Sequence, residues 1–246
     1  VPGLAVVVTA PGSGSAEESL VEGVAEFAPS RVGFESANLT VSQHVDLAAR
    51  LAAAACRAAL VPTEGVVETL RAVKDAWEVS KLREAGRRLS DVAKCIIPNA
   101  LAGLAERDLA ARIEWELRQK GFDKPAFDTI VASGPNAALP HHRAGARRLA
   151  DGDLVVIDFG GMLDGYAVDM TRTVTVGAPD ARQRACWLAV ASAQRAAFAA
   201  ARVGVDAEDV DGAARNALAA AGMAEAFGHG LGHGLGLEVH ERPRLS

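Results

Sequence analysis

The stretch Asp158-Phe-Gly-Gly-Met-Leu-Asp-Gly-Tyr-Ala-Val-Asp169 predicts a β-hairpin that carries an acidic residue on each arm. Apolar and β-branched residues flank it at 154–158 and 171–176, and the residues between the arms tolerate the backbone angles of a tight reversal. A turn centred between Leu163 and Asp164 would make Asp158 and Asp169 direct cross-strand partners. Their Cβ atoms would then lie roughly 4.5–5.5 Å apart on one face of the sheet.

Two carboxylates at that separation repel each other, and burying both in the ionised form would cost several kcal/mol. A cation placed between them removes this cost. The alternative is a pair of turn-flanking acids that are exposed to water. Asp158, however, ends the apolar run Val155-Val156-Ile157, which indicates a half-buried strand and favours the cation site.

The composition is that of a globular protein with one large domain or two modest ones. Half of the 246 residues are hydrophobic, which is enough for a substantial core. The net charge of -5 argues against a nucleic-acid partner. No apolar run approaches the roughly 20 residues of a membrane-spanning helix, so we expect no membrane partner either.

The cysteines and the first residues bear on the compartment. Cys56, Cys95 and Cys186 have no metal-type spacing, and an odd number leaves at least one thiol free, so we expect a cytoplasmic protein. The apolar segment 1–10 is short and lacks a basic start, which favours a strand over a signal peptide. The absence of an initial methionine indicates processing or a missing beginning.

The order of predicted elements divides the chain near residue 70. The first part alternates short strands and helices, as an α/β domain does, with these elements: a strand at 4–9, a helix at 16–27, a strand at 31–34 and an alanine-rich helix at 45–59. The second part predicts two helices and then strands, twice over: helices at 75–98 and 106–120, strands at 127–132 and in the hairpin, helices at 182–202 and 206–222, and an extended run from 227. This repetition indicates an internal duplication, and its second set of strands is cut short at Ser246.

The extended run Phe227-Gly-His-Gly-Leu-Gly-His-Gly-Leu-Gly-Leu-Glu-Val-His240 alternates glycine with larger residues over most of its length. Glycine allows the backbone to approach a ligand closely, at an entropic cost that a purely structural strand has no reason to bear. Strand alternation places His229 and His233 on one face, and His240 joins them only if a bulge intervenes. Imidazole and carboxylate without thiolate suit Mn, Co, Fe or Zn.

These segments resemble the pita-bread metallopeptidases, and among them the proline-specific branch of prolidase (Xaa-Pro dipeptidase) and Xaa-Pro aminopeptidase. The hairpin with its continuation 170–173 and the segment 229–243 carry most of the resemblance. Three further segments are similar to parts of that family: 133–142 to the segment with its first active-site histidine, 70–85 to the start of its catalytic domain, and 32–40 to the end of its N-terminal domain.

The resemblance implies an α/β (α+β) fold in two domains. A partial N-terminal α/β domain of the creatinase/prolidase type is expected over residues 1–70, and a pita-bread catalytic domain with an internal pseudo-duplication over residues 74–246. We expect both ends to be truncated and the C-terminal strands of the catalytic domain to be missing.

The resemblance also assigns roles to residues. Metal coordination falls to three of them: Asp158, Asp169, which would bridge two ions, and His233. Substrate binding and stabilisation of the tetrahedral intermediate fall to three histidines: His141, His229 and His240. The implied cofactors are two divalent metal ions, Mn in the first place and Co or Zn as alternatives. No role matches His142, which we expect to be structural, and Tyr166 and Arg172 are expected to support the hairpin.

One departure concerns the metal ligands. The family has two further glutamate ligands after the histidine segment, and the sequence ends before them. Without these glutamates, two aspartates and a bridging hydroxide do not balance the charge of two divalent ions. Glu238 and Glu241 are candidates for this role, but neither matches a ligand position of the family. Residues beyond Ser246 are the preferred explanation.

The expected function is that of a metal-dependent Xaa-Pro dipeptidase, acting on small proline-containing peptides and assembled as a homodimer. An Xaa-Pro aminopeptidase, which cleaves longer peptides, shares every residue named above. A creatinase-type hydrolase keeps the fold but works without metal, and the retained aspartate pair argues against it. A non-catalytic binding module on the same fold is the alternative from a different class.

Overall fold

The computed structural model describes residues 16–246, and the chain divides into two compact units between Val67 and Glu68. This division lies slightly before the limit at residue 70 expected from the sequence. The strand predicted at 4–9 lies outside the described residues. Across residues 16–246, no helix combines the length and the apolar character that crossing a membrane requires.

The first unit pairs two short parallel strands with two helices. Its described elements are α1 (Ala16–Phe27), β1 (Arg31–Glu35), α2 (Val41–Ala53) and β2 (Ala59–Thr63). Arg31 of β1 lies opposite Ala59 of β2 in parallel register. The predicted helix at 16–27 and the strand near 31–34 are confirmed.

The prediction of an alanine-rich helix at 45–59 was wrong at both ends. Thr40 caps α2 in a capping box with Gln43, so the helix begins at Val41. It ends at Ala53, and Ala55 adopts a left-handed conformation with φ 57°. Further alanines follow Ala53, but the chain turns there and the helix does not continue. The apolar residues from Ala59 onwards form β2, which pairs with β1.

The second unit contains the hairpin. After α3 (Val66–Ala72), which spans the boundary, come α4 (Ala76–Ile96), α5 (Glu106–Gln119), β3 (Lys124–Pro125), β4 (Ile130–Ser133), β5 (Leu154–Leu163) and β6 (Tyr166–Thr175). The elements α6 (Ala181–Ala200), α7 (Ala207–Ala220), β7 (Gly232–Gly234) and β8 (Glu241–Leu245) follow. The order of two helices and then strands does occur twice, as predicted.

Strand β5 is the centre of the sheet. Along one edge it pairs antiparallel with β6 over ten residues, and along the other with β4 and β3. Val155, Ile157 and Phe159 of β5 are fully buried and pack in one core with α4 and α5. The side chains that alternate with them, Asp158 among them, therefore lie on the opposite face. The strand predicted at 127–132 is replaced by β3 and β4, with 126–129 between them.

The hairpin register differs from the predicted one. Asp164 and Gly165 form the turn with φ angles of 52° and 83°, so Leu163 pairs with Tyr166. The turn is centred one residue position later than expected because these two residues accept the positive φ angles that a two-residue reversal requires. As a result Asp158 faces Thr171 and Asp169 faces Gly160. The two aspartates are diagonal neighbours on one face rather than direct partners.

The second helix pair packs mainly through small side chains. Ala189, Ala193 and Ala197 of α6 form a buried cluster with Val210, Ala214 and Leu218 of α7. The extended run predicted from residue 227 is shorter than expected, because only β7 and β8 form strands there. A register irregularity lies between His233 and Gly234.

Gly161 provides a test of the packing on β5. A Cβ at this position would overlap the ring of Phe122, which is itself buried, so Gly161→Ala should lower the free energy of unfolding by about 1–3 kcal/mol. Gly212 in α7 has open space around it, and Gly212→Ala should raise the stability by roughly 0.5–1 kcal/mol. Urea denaturation followed by circular dichroism measures both changes. Equal effects of the two substitutions would contradict this packing.

Candidate active site

A cavity of about 640 Å³ lies in the second unit, in front of the polar face of the hairpin. Its volume falls in the range of small-molecule sites. The walls come from α5, from residues 127–130 and from the loop 140–144 before β5. The cavity brings together five of the polar residues singled out in the sequence: Asp158, Asp169, His141, His142 and His240.

Asp158 and Asp169 interact electrostatically across the hairpin. Burial, and next the negative charge of Asp158, together raise the pKa of Asp169 to about 6. One carboxylate oxygen of Asp169, Oδ1, is buried without a hydrogen-bond partner. Asp158, by contrast, accepts a hydrogen bond of 2.6 Å from Thr171 Oγ1. Asp169 is therefore the less satisfied member of the pair.

His233 lies next to this pair. Its Nδ1 is 3.0 Å from the carbonyl oxygen of Gly234, which can only accept, so Nδ1 carries the ring proton. Its Nε2 is then a lone-pair nitrogen in the neutral ring, and it lies 3.5 Å from Asp169 Oδ2. Two electron-rich atoms face each other, an arrangement that a proton or a metal cation between them would stabilise.

The loop that carries His233 is tied to the hairpin by main-chain contact. The amide of Ala167 in β6 donates to the carbonyl of Gly236 at 2.7 Å. The ring of His240 meets that of His233 edge to face, with 4.3 Å between centroids. Burial, and next the nearby His233, lower the pKa of His240, which favours the neutral imidazole that can still donate a hydrogen bond.

His229 lies apart from the cavity lining. Its side chain is exposed, Nδ1 is 2.7 Å from the carbonyl of Gly230, and the ring packs against Phe227 at 4.7 Å between centroids. Strand alternation does not apply to it, because β7 begins only at Gly232. Its role in substrate binding stays a prediction.

Glu241 is held by cations rather than directed at the aspartate pair. Its nearly buried carboxylate forms ion pairs with Arg71 and with Lys74, the latter at 2.9 Å. Burial raises the pKa of Glu241, but the hydrogen bonds from Lys74, Arg71 and the Glu238 amide together outweigh burial and lower it. Glu238 has a side chain that is 67% exposed and a longer contact of 3.4 Å to Arg71. Neither glutamate supplies the ligand that the aspartate pair lacks.

The start of α4 braces the hairpin. Glu78 forms the capping box of the helix with Asp75, and its side chain also accepts a hydrogen bond of 2.9 Å from the hydroxyl of Tyr166. Lys81 pairs with Asp164 of the turn at 2.6 Å. Tyr166 thus supports the hairpin as expected, whereas Arg172 is exposed and donates to the adjacent carbonyl of Thr171.

The donor set fits a divalent cation in its chemistry. Two carboxylates and a lone-pair imidazole nitrogen are ligands of Mn, Co, Fe or Zn. The Oδ1 atom of Asp169 has no hydrogen-bond partner, so its lone pairs are available to a metal ion. Within residues 16–246, no three His, Cys, Asp or Glu side chains already converge as metal ligands. Asp169 lies beside Asp158 on the hairpin and 3.5 Å from His233, so it is the residue that links the other two.

One residue near the site, Glu106, carried little signal in the sequence. Glu106 begins α5 and is fully buried, where it holds His142 through a hydrogen bond of 2.8 Å. An acidic residue in the first turn of a helix is common, so its burial could not be read from the pattern. The pair His141-His142 drew attention to the loop, but the contact with Glu106 depends on the tertiary structure.

Comparisons with known proteins show similarity over most of the chain. The profile described as metallopeptidase family M24 matches residues 80–246, and that of the creatinase/prolidase N-terminal domain matches residues 3–73. An Xaa-Pro dipeptidase from Pyrococcus horikoshii is 41% identical over 183 residues, which cover 74% of this chain and 52% of that protein. The chain thus spans about half the length of that relative.

Solved structures show the same similarity. The X-Pro aminopeptidase from Thermotoga maritima has a TM-score of 0.87 and 32% identity, covering 96% of this chain and 66% of that one. The prolidase from Pyrococcus furiosus has a TM-score of 0.83 and 35% identity, covering 92% of this chain and 66% of that one. The mixed α/β architecture with a pita-bread second unit is therefore confirmed.

The stability of the metal-free protein should depend on Asp169. Its folded pKa lies above the unfolded value of about 3.9, so the folded state binds more protons between these values. Stability from this group is complete below pH 4 and is lost as the pH rises through 6, by on the order of 3 kcal/mol. Asp169→Asn should remove that dependence. Denaturation at several pH values with a chelator measures it, and an unchanged slope would contradict the assignment.

The Glu241 cluster should contribute to stability. Glu241→Leu leaves Arg71 and Lys74 largely buried without their anion, and should cost about 3–5 kcal/mol of unfolding free energy. Glu238→Gln, which changes an exposed partner of the same arginine, should stay within about 0.5 kcal/mol. Thermal unfolding compares the two variants. A similar loss in both would show that burial does not distinguish these glutamates.

Proposed function

Because this chain belongs to metallopeptidase family M24, we propose that its cavity is the active site of a metal-dependent Xaa-Pro dipeptidase, an enzyme that cleaves the bond between an N-terminal residue and proline. The observation that carries the proposal is the placement of Asp158 and Asp169 on one face beside the lone-pair nitrogen of His233, in front of a cavity of peptide size. The names of the relatives support the substrate class.

Asp158, Asp169 and His233 would hold the metal. A divalent cation in such a site supplies a Lewis acid for the scissile carbonyl and lowers the pKa of water near neutrality. The unpaired Oδ1 and the raised pKa of Asp169 support this role, because a cation would satisfy the atom and favour the ionised carboxylate. We propose two ions, with Mn as the metal.

The histidines of the cavity wall would act on the substrate. His141 and His240 both line the cavity, and the neutral form of His240 can donate a hydrogen bond to an oxyanion without adding charge. A donor held in place before the reaction is worth about 2.7–4 kcal/mol in the transition state. His229 is proposed as a third substrate-binding histidine on the resemblance alone.

The assembly and the compartment complete the proposal. Cys56, Cys95 and Cys186 are all free thiols, which supports a reducing compartment such as the cytoplasm. We also propose a homodimer, on the resemblance alone. An Xaa-Pro aminopeptidase remains the second candidate, because the similar Thermotoga maritima structure carries that activity in its name.

The test is hydrolysis of Ala-Pro and of Ala-Pro-Ala by the intact protein with Mn²⁺. We expect cleavage of Ala-Pro in preference to Ala-Pro-Ala, a loss of activity with chelator, and a drop of roughly 10³-fold in kcat/KM for Asp169→Asn, which forfeits several kcal/mol of metal assistance. His141→Ala should lower kcat by about 10²–10³-fold. Asp209→Asn, at an exposed position in the first turn of α7, is the matched control and should keep full activity.

Three outcomes would contradict parts of the proposal. Preference for Ala-Pro-Ala would favour the aminopeptidase. Turnover that survives a chelator would favour a metal-free hydrolase of the same fold. A protein that binds no metal and cleaves neither peptide would favour the non-catalytic binding module.

A further inference from the structure

Glu106 is a fully buried carboxylate that the proposed function does not use. Its side chain has no exposed surface, although it stands at the first position of α5. A buried carboxylate is costly unless its oxygens are hydrogen-bonded. All the donors that the structure shows for Glu106 come from one segment of the chain, residues 133–145.

The two oxygens of Glu106 hold the two ends of that segment. Oε1 accepts from the amide of Ser133 at 2.8 Å, from its hydroxyl at 2.7 Å and from Asn136 Nδ2 at 3.0 Å. Oε2 contacts His142 Nε2 at 2.8 Å and accepts from the amide of Gly145 at 3.3 Å. One side chain thus bridges the two ends of the loop.

The middle of this loop faces the cavity. Pro140, His141, His142 and Arg143 all line it, next to Asp158 and Asp169. Arg147 fastens the outer side of the loop, since it binds Ser133 Oγ at 2.5 Å and Asp153 at 2.6 Å. Glu106 thus holds the loop on both sides of His141 in the chain, at Asn136 and at His142.

The contact with His142 has a defined polarity. Burial raises the pKa of Glu106, but hydrogen bonds from Ser133, Asn136 and His142 outweigh burial and lower it to about 2. The carboxylate is therefore ionised and can only accept, so Nε2 of His142 carries a proton. A side chain at position 142 must donate from the place of Nε2 to keep the loop closed.

We propose that Glu106 is a positioning residue and that His142 is its partner: together they hold the loop 133–145 so that His141 can donate a hydrogen bond to the substrate oxyanion. This inference rests on the proposed function. It gives a role to His142, for which the family resemblance supplies none, and to a carboxylate that is not a metal ligand.

A positioning role and a merely structural role differ in their kinetics. A donor that acts only in the transition state affects kcat and leaves KM nearly unchanged. A displacement of His141 by about 1 Å is expected to cost on the order of 10²-fold in rate. Loss of fold alone would instead lower the amount of active protein and leave the kinetics of the folded fraction as they are.

The experiment compares four variants of the intact, Mn²⁺-loaded protein on Ala-Pro. Glu106→Gln replaces one accepting oxygen with an NH2 group that would face the donors of the loop. His142→Phe removes the ring nitrogen that donates to Glu106. Both variants should lower kcat by about 10–100-fold, with KM within about 3-fold. His142→Gln can donate from the position of Nε2 and should retain kcat within about 3-fold. Glu84→Gln is the matched control, a carboxylate whose pKa is likewise lowered to about 2 but which pairs with two arginines outside the cavity, and it should behave as wild type.

A second measurement does not depend on turnover. Long-range ¹H–¹⁵N spectra of the metal-free protein should show a proton on Nε2 of His142, and Glu106→Gln should abolish this preference. If Glu106→Gln fails to fold, the pair His142→Gln and His142→Phe decides, because His142 lies at the cavity wall with part of its side chain exposed.

The outcomes separate the inference from the proposed function. A wild-type protein that cleaves no Xaa-Pro peptide overturns the proposed function and this role with it. An active wild type whose His142→Phe variant keeps full kcat overturns the positioning role alone. Equal damage from His142→Gln and His142→Phe does the same, because it shows that donation to Glu106 is not what matters.

Discussion

The electrostatic conflict on the polar face of the hairpin is the constraint on which the site depends. Asp158 and Asp169 share one face, and a lone-pair nitrogen of His233 lies 3.5 Å from Asp169. Each of these groups favours a positive charge near it, and none supplies one. The arrangement is tolerated because the other face of the same strand carries Val155, Ile157 and Phe159 in the core, which holds the hairpin in place.

Three acidic residues of the second unit have pKa values shifted in opposite directions. Glu106 and Glu241 are buried and fully supplied with donors or cations, and their pKa values are lowered. Asp169 is partly buried, lacks a partner for Oδ1, and has a raised pKa. The two glutamates hold loops in position, whereas Asp169 is suited to binding a cation. A carboxylate can thus either hold a loop in position or bind a cation, and its surroundings decide which.

Local sequence patterns were sufficient to predict most helices and strands. They were not sufficient to predict where some of these elements end or turn. The helices predicted at 75–98 and 106–120 follow from helix periodicity and capping, and Asp75 does cap α4. The helix predicted at 45–59 failed because alanine favours a helix without determining where it ends. The hairpin turn moved by one residue position because Asp164 and Gly165, rather than Leu163, accept positive φ.

The sequence by itself determined the hairpin, its two acids on one face, and the presence of a glycine-rich segment with three histidines, since residue type and alternation are local properties. Only the tertiary structure decided which of those histidines meet the acids. It brought His233 and His240 to the hairpin, left His229 exposed, and placed Glu106 behind the loop of His141. These contacts join residues distant in the chain, and they depend on how the loops and strands pack, which no local pattern specifies.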